Sequence, residues 1–391
     1  MSPSVSPAVS APAVLAELRA EDVPDVAAGA AVLGTGGGGD PYIAALLARA
    51  ALLEHGPVPI VPLERGALAD DAAVYSVGMM GAPTVMVEKL PPAEQPAQAI
   101  RVLARYRGLE PSHVACLEIG GLNALLPFVA AAQLGLPVLD GDGMGRAFPE
   151  VQMVLPTTYG VATTPMSITD EKGNGGIFDT ATPLWAERLA RTATVEMGCS
   201  ATISLYPMTG QQARTSLIPG TVSLCARIGR RLRTARAEHL DPVAEVVDEV
   251  GGRELFAGTV VDVARRTETG FARGTATVAG APTGGDPAAR THSARLEFQN
   301  EHLLVALREA ADTTGEGEQL LVTVPDLICV LEADTGQAVT TEKLRYGQRV
   351  RVIAIPADPR WHSEAGVALV GPRYFGYDTD PVRVAGAGAV R

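Results

Sequence analysis

Aromatic residues are scarce in this 391-residue chain, at 4%, which leaves few stacking platforms for single-stranded nucleic acid. Positive charge is also in the minority. The sequence has 32 Lys and Arg against 44 Asp and Glu, a formal net charge of -12, and an acidic chain of this kind is not expected to bind nucleic acid or an anionic membrane surface. The basic residues that do cluster, Arg230, Arg231, Arg233 and Arg236, read as the solvated face of a helix. No apolar run reaches the ~18–20 residues of a membrane span. The opening MSPSVSPAVSAPAV lacks the basic and continuously apolar regions of an export signal. Cys116, Cys199, Cys225 and Cys329 form no CxxC pair, so zinc-ribbon and thioredoxin-type motifs are absent. Free cysteines without an export signal point to a reducing compartment, and a cytoplasmic location is expected. HExxH, GxSxG and Walker A signatures are missing too.

The chain is long, and 47% of it is hydrophobic, which suits two domains. Residues 13–33 read as helix, followed by the run Gly34-Thr35-Gly36-Gly37-Gly38-Gly39-Asp40-Pro41 and a second helix ending at His55 and Gly56. VPIVPL, AAVYSVGMMG, HVACLEIGG and LPVLDGDGMG read as strands alternating with helices at 94–107 and NALLPFVAAAQLG. The pattern predicts an α/β N-terminal domain with a mixed, largely parallel sheet over residues 13–250. Near Gly251-Gly252 the character changes. GTVVDVARRTETGFARGTATVAG alternates as two strands with a turn, and LEFQNEHLLVAL, QLLVTVPDLICVLEA and QRVRVIAIPA add further strands. A β-rich C-terminal domain is expected over 251–380, with residues 1–12 as a disordered tail and 381–391 as another tail.

Gly34, Gly36 and Gly39 satisfy G-x-G-x-x-G, but the segment before them reads as helix and not strand, so no nucleotide cofactor is expected. The loop opens onto a helix whose free N–H groups suit an anion or a developing oxyanion. Gly36, Gly37, Gly38, Gly39 and Asp40 are therefore substrate-binding candidates, the alternative being a tight turn with Asp40 as cap. Two strand-exit loops carry acids. Glu118 and Asn123 lie in one, Asp140 and Asp142 in the other, and Glu88 follows VMV on a third. Glu118, Asp140 and Asp142 suit general acid–base work, or shared ligation of a divalent cation if one is present. The alternative is that the two aspartates are turn residues holding backbone N–H groups. Arg146 suits a substrate carboxylate or a salt bridge to Asp142 or Glu150. Cys116 shares a strand face with Glu118 and is either a nucleophile or a core residue, with the core favoured. Cys199 has the same two readings. Ser200 has no evident His partner. His302 is suggestively placed yet more in keeping with a structural role, and His113 and His362 read as loop residues.

The strings LGTGGGGDP, EIGGLNA, LDGDGMGRAFPE, SLYPMTG, LEFQNE, VPDLI, LRYGQRV and GPRYFGYD, in this order, resemble the family named for S-methyl thiohydantoin desulfurase. The resemblance runs from about Leu33 to Asp378. It implies a two-domain protein tied to catabolism of five-membered cyclic amides and ureas, and an activity that takes the sulfur substituent off an S-methyl thiohydantoin to leave a hydantoin. For that chemistry the residue types give Asp140, Asp142 and Glu118 as base and acid, the backbone of Gly36–Gly39 as a cradle, and Asn123 as a partner for the ring amide. Arg146 and Glu150 are further contacts for the small heterocycle. The competing expectation is a non-catalytic partner of a hydantoinase- or oxoprolinase-type enzyme. Many small apolar residues would also permit a homo-oligomer.

Overall fold

The computed structural model describes residues 14–81, 85, 92–268, 271–310 and 317–384. Two sheets organise them. The first has nine strands in the order β1 (Glu17–Leu18), β2 (Val58–Pro62), β5 (Val138–Asp142), β4 (His113–Cys116), β3 (Ala73–Gly81), β8 (Ser200–Thr209), β6 (Met166–Thr169) and β7 (Gly175–Phe178), with β9 (Ile218–Pro219) paired to β5. β2, β5, β4 and β3 run parallel, and β8, β6 and β7 add antiparallel neighbours. This is the mixed α/β sheet expected. Its buried strands are apolar on both faces, as Val74, Tyr75 and Val77 of β3 show with no exposure at all.

The helices that cover it are α1 (Val23–Leu33), α2 (Tyr42–His55), α3 (Gln95–Arg107), α4 (Leu126–Leu134), the short α5 (Leu155–Thr158), α6 (Pro183–Glu196), α7 (Gly210–Ser216), α8 (Thr221–Glu238) and α9 (Pro242–Val250). α1 is shorter than the helix expected over 13–33. Residues 17–18 pair with β2 instead, and Pro24 sits in the first turn of α1, where a missing N–H costs nothing. The segment QQARTSLIPG divides between a helix and a strand: α7 stops at Ser216, and Ile218–Pro219 joins the sheet. The arginine cluster on α8 is paired as well as solvated: Arg233 grips Asp25 through two bonds of 2.9 Å, and Arg231 reaches Glu245 at 2.7 Å.

The second sheet is antiparallel throughout, in the order β14 (Gln319–Thr323), β13 (Glu301–Glu309), β12 (His292–Gln299), β11 (Phe271–Pro282), β10 (Arg253–Glu268), β16 (Arg349–Ile355) and β15 (Leu327–Glu332). β13 also touches β15, so the sheet curls. LEFQNEHLLVAL is not one strand. Asn300, at φ 59°, turns the chain between β12 and β13, a left-handed conformation that Asn tolerates better than most residues. The core of the first half extends into the second, where Leu303, Cys329, Leu331 and Ile353 pack with the helices and strands of the first sheet, while Phe256, Val278, Leu296 and Val352 belong to a second core in the C-terminal sheet. After β16 the chain returns to that sheet through Trp361, wholly buried, whose indole N–H donates to Met144 O at 2.8 Å. The segment expected to be a tail from 381 is docked at its start, since Val382 N–H donates to Thr323 Oγ1 and Val384 N–H to Asp326. No helix among the described residues is long and apolar enough to cross a membrane.

Candidate active site

A cleft opens where the parallel strands β3, β4 and β5 reach their carboxyl ends, the position at which open α/β sheets gather ligand-binding loops. Gly78 to Gly81, Glu118, Asn123, Met144 and Phe148 to Val151 line it from the first half, and Asn300 and Glu301 enter from the second. It holds roughly 860 Å³ of empty space, mouth included, a size that suits a small organic ligand.

Two carboxyls meet in this cleft. Glu118 leaves β4 and receives the side-chain N–H of Asn123 and the backbone N–H of Phe148. Glu301 stands at the hairpin tip, only 2% exposed. Its Oε1 accepts from Gly38 N–H at 3.2 Å, and its Oε2 has no partner. Burial pushes each carboxyl up to about 8, and the charge of Glu118 adds to the effect on Glu301. Two neighbouring acids, one buried and one half-buried, cannot both ionise easily, so near neutral pH the pair holds a proton. The buried Arg146 guanidinium favours the ionised form of Glu301. Glu118 has no such cation and feels the like charge of Asp142.

Asn123 does not present a free amide to a ligand. Its Oδ1 accepts from Met79 N–H at 2.8 Å, and its Nδ2 donates to Met79 O at 3.3 Å and to Glu118. It therefore orients Glu118 against the end of β3. The glycine loop likewise differs from the anion cradle expected. Gly37 N–H closes a turn onto Gly34 O at 2.8 Å, and the Gly38 N–H holds Glu301. A Cβ on Gly37 would fall 2.1 Å from Glu301 Oε1, so only glycine lets this carboxylate approach the loop. Gly36 abuts His302, and Gly38 and Gly39 line the cleft. Asp40 lies outside the lining, accepting from Tyr42 N–H at 3.0 Å and paired with Lys343.

Asp140 and Asp142 do not join Glu118 in a three-carboxylate centre. Both belong to β5 itself, and β9 pairs across Gly141 and Asp142. Asp140 accepts from Ser223 N–H at 3.0 Å and Ser223 Oγ at 2.7 Å, anchoring the first turn of α8. Asp142 is unexposed and accepts from the backbone N–H groups of Ile119, Met144 and Gly145 at 2.9–3.1 Å. Among the described residues no group of three or more His, Cys, Asp or Glu is arranged to hold a metal ion. The turn reading of these aspartates describes the geometry. Burial pushes the Asp142 carboxyl up to about 7. Asp142→Asn is expected to lose about 2 kcal/mol of stability, because the amide turns an N–H toward backbone donors that then go unsatisfied. Chemical denaturation checks this; an unchanged midpoint would remove the structural role.

Arg146 is neither a substrate clamp nor a partner of Asp142 or Glu150. It is wholly buried. Its Nη1 donates to Pro325 O at 2.8 Å and Asp326 O at 2.9 Å, its Nη2 to Thr35 Oγ1 at 3.1 Å, and its Nε to Ala147 O at 3.0 Å. The guanidinium lies 4.4 Å from the Phe148 ring centroid. It ties the glycine loop, the β5 exit and the second sheet together. Glu150 does line the cleft, with its carboxylate held by Tyr374 OH at 2.7 Å and by Gln152. Glu88 lies outside the described residues. Cys116 is a core residue whose thiol donates to Glu118 O at 3.0 Å, and burial pushes it well above its usual value. Cys199 is half-buried at φ 64° just before β8. His302 is buried beside Phe298 and pushed down to about 3 by burial and by Arg146, hence neutral. His113 opens β4, and His362 bonds Asp326 at 2.9 Å.

Glu301, Asn300, Arg191 and the methionines Met79, Met80 and Met144 were not singled out from sequence as site residues, yet all line the cleft. Arg191 is held by Glu187 and donates to Pro149 O at 3.2 Å. The available signal for Glu301 was the polar Gln-Asn-Glu break in an otherwise apolar alternation, a hairpin cue.

Family models match almost all of the chain: the S-Me-THD-like N-terminal domain at residues 21–180 and the S-Me-THD-like C-terminal domain at residues 181–384. The second match begins before β8, so the C-terminal family domain supplies a central strand to the first sheet. No curated protein matches the sequence. A crystal structure of a protein from Chromobacterium violaceum has the same fold, with a TM-score of 0.75 at 23% identity over 94% of this chain and 100% of that one. With matched domains spanning residues 21–384, the chain belongs to the S-Me-THD-like family.

Proposed function

We propose that this protein is a hydrolytic enzyme that takes the methylthio group off a small five-membered ring of the S-methyl thiohydantoin type and leaves a hydantoin. The pairing of Glu118 and Glu301 in one cleft, with a proton retained between them near neutral pH, carries the reading. Desulfurisation of such a ring is an addition to a C=N bond followed by loss of methanethiol, and it needs a base and an acid on one substrate. Glu301 takes a proton from water as the oxygen adds to the ring carbon that bears sulfur. Glu118 gives its proton to the ring nitrogen of that bond. In the collapse Glu118 takes back the hydroxyl proton as the carbonyl forms, the C–S bond breaks, and Glu301 gives its proton to the departing thiolate. Water and substrate become hydantoin and methanethiol, and both carboxyls return to their starting states. Met79, Met80 and Met144 offer a soft, polarisable wall for a methylthio group.

Methanethiol release from S-methyl thiohydantoin, read with a thiol reagent and matched to hydantoin formed, tests the reading. kcat/KM is expected to follow a bell. At low pH both carboxyls are protonated and no base remains, while at high pH both are ionised and no acid remains. The two limbs belong to the coupled pair and not to either residue, and they flank the neutral to mildly alkaline range because both groups are raised. A folded protein that turns over no such ring would favour the partner-subunit reading instead. A flat profile would reject the carboxyl pair.

A further inference from the structure

The cleft is larger than a bare five-membered ring requires, at roughly 860 Å³ with its mouth, so a ring bound there has room for a substituent. The polar groups on the Glu150 side decide what that substituent can be. Glu150 lines the cleft half-buried. Both of its bonds, from Tyr374 OH at 2.7 Å and from the Gln152 amide, fall on Oε2, and among the described residues no donor reaches Oε1. Gln152 is 3% exposed, and its own Oε1 is buried without a partner, which costs about 1–3 kcal/mol. The local excess is of hydrogen-bond acceptors. Charge points the same way. The acids and cations on the described lining are Glu118, Glu150, Glu301 and Arg191. Arg191 is committed: its Nε is bonded to Glu187, its Nη2 donates to Pro149 O at 3.2 Å, and its guanidinium lies 4.5 Å from the Phe271 ring centroid. Glu187 itself is buried and feels the like charge of Glu150. Even with one proton held between Glu118 and Glu301, carboxylates outnumber cations here, and a cleft of one sign draws in a group of the other.

We propose that the ring this cleft takes carries a cationic side chain, an ammonium or guanidinium, on its C5 carbon, and that Glu150 selects for it. The cation donates to Glu150 Oε1, the open half of the carboxylate, while Tyr374 and Gln152 hold the other half in place. A charge-assisted bond of this kind is stronger than one between neutral groups, and a part-buried pair is screened less by salt than an exposed one. A ring derived from a basic α-amino acid has such a substituent. The inference rests on the desulfurase reading of the cleft and adds the side chain of the substrate to it. Glu150 acts on binding of the substituent and takes no part in the proton transfers of Glu118 and Glu301.

Three S-methyl thiohydantoins test it, with aminobutyl, butyl and carboxyethyl groups on C5. For the full chain, kcat/KM is expected to be at least tenfold higher for the aminobutyl ring than for the butyl ring, and lowest for the carboxyethyl ring. In Glu150→Gln the aminobutyl-to-butyl ratio should fall to within twofold of one, through a higher KM for the aminobutyl ring. Circular dichroism checks the fold. Tyr374→Phe, which takes away the hydroxyl that holds Glu150, should lower the ratio at least threefold and stands in if Glu150→Gln does not fold. Equal turnover of the three rings, or a ratio unchanged in the folded variant, would overturn the inference and leave the desulfurase reading intact. So would a preference for the carboxyethyl ring, which would give the selecting role to Arg191. No turnover of any ring would remove the desulfurase reading, and calorimetric titration with aminobutyl and butyl hydantoins then decides the inference separately. A Kd at least tenfold lower for the aminobutyl hydantoin, with the difference lost in Glu150→Gln, would keep the cation site, and equal binding or none would overturn it as well.

Discussion

Glu301→Gln is expected to lower kcat for methanethiol release by about 10²–10⁴-fold, the usual worth of a positioned acid or base, with the fold intact. The amide oxygen can still accept from Gly38 N–H, as Glu301 Oε1 does, so the glycine loop keeps its contact while the proton acceptor is lost. The same variant has a signature in stability. The Glu301 carboxyl is pushed up to about 8 in the folded protein, against about 4.3 for an unfolded glutamate. The folded state therefore binds the proton more tightly, and this contribution to stability is full below about 4.3 and lost as pH rises through about 8. Gln carries no such proton, so Glu301→Gln should lose less stability than the parent over that window. Denaturation midpoints at several pH values read this directly. An active Glu301→Gln protein would end the assignment of Glu301 as base. A parent and variant with parallel stability profiles would show that Glu301 ionises normally.

Arg146→Met is expected to cost about 3–5 kcal/mol, among the larger losses for one side chain. The substitution removes a guanidinium that holds Pro325 O, Asp326 O, Ala147 O and Thr35 Oγ1 together inside the protein, and each acceptor left dry carries its own penalty. Arg146→Lys should rescue only part, because a single ammonium cannot reproduce the planar fork. A second readout separates a structural effect from an electrostatic one. Arg146 favours the Glu301 carboxylate, so in the folded fraction of Arg146→Met the acid limb of kcat/KM should move to higher pH. An Arg146→Met protein as stable as the parent would show that the two halves are not joined here. An unmoved acid limb would remove the link to Glu301.

Much of the architecture was legible because it is local. The alternation of short apolar strands with helices over residues 58–142 required an α/β layer, and the sheet has it. The alternation of period two after Gly252 indicated a β-rich half, and β10 to β16 form it, as a sheet that the structure shows to be antiparallel throughout. Part of the site was legible for the same reason: Glu118 and Glu150 follow strands, and the cleft sits at strand ends. The errors share one cause. Asp140 and Asp142 have the residue type of a catalytic pair, but whether a buried carboxylate meets a ligand or a backbone N–H depends on partners distant in sequence. Ser223 lies 83 residues from Asp140, and Ile119 lies 23 from Asp142. The glycine run was legible as a place of close approach, but not what approaches it. That is Glu301, from the other half of the chain.

The sequence by itself determined the layer types, the acidic surface and the glycine positions, since periodicity, charge and backbone freedom are carried residue by residue. Only the tertiary structure decided the chemistry. Folding the β12–β13 hairpin onto the glycine loop brings Glu301 to Glu118, and burying both in one cleft raises them together, because the cost of charge depends on the surrounding dielectric and neighbours and not on residue type.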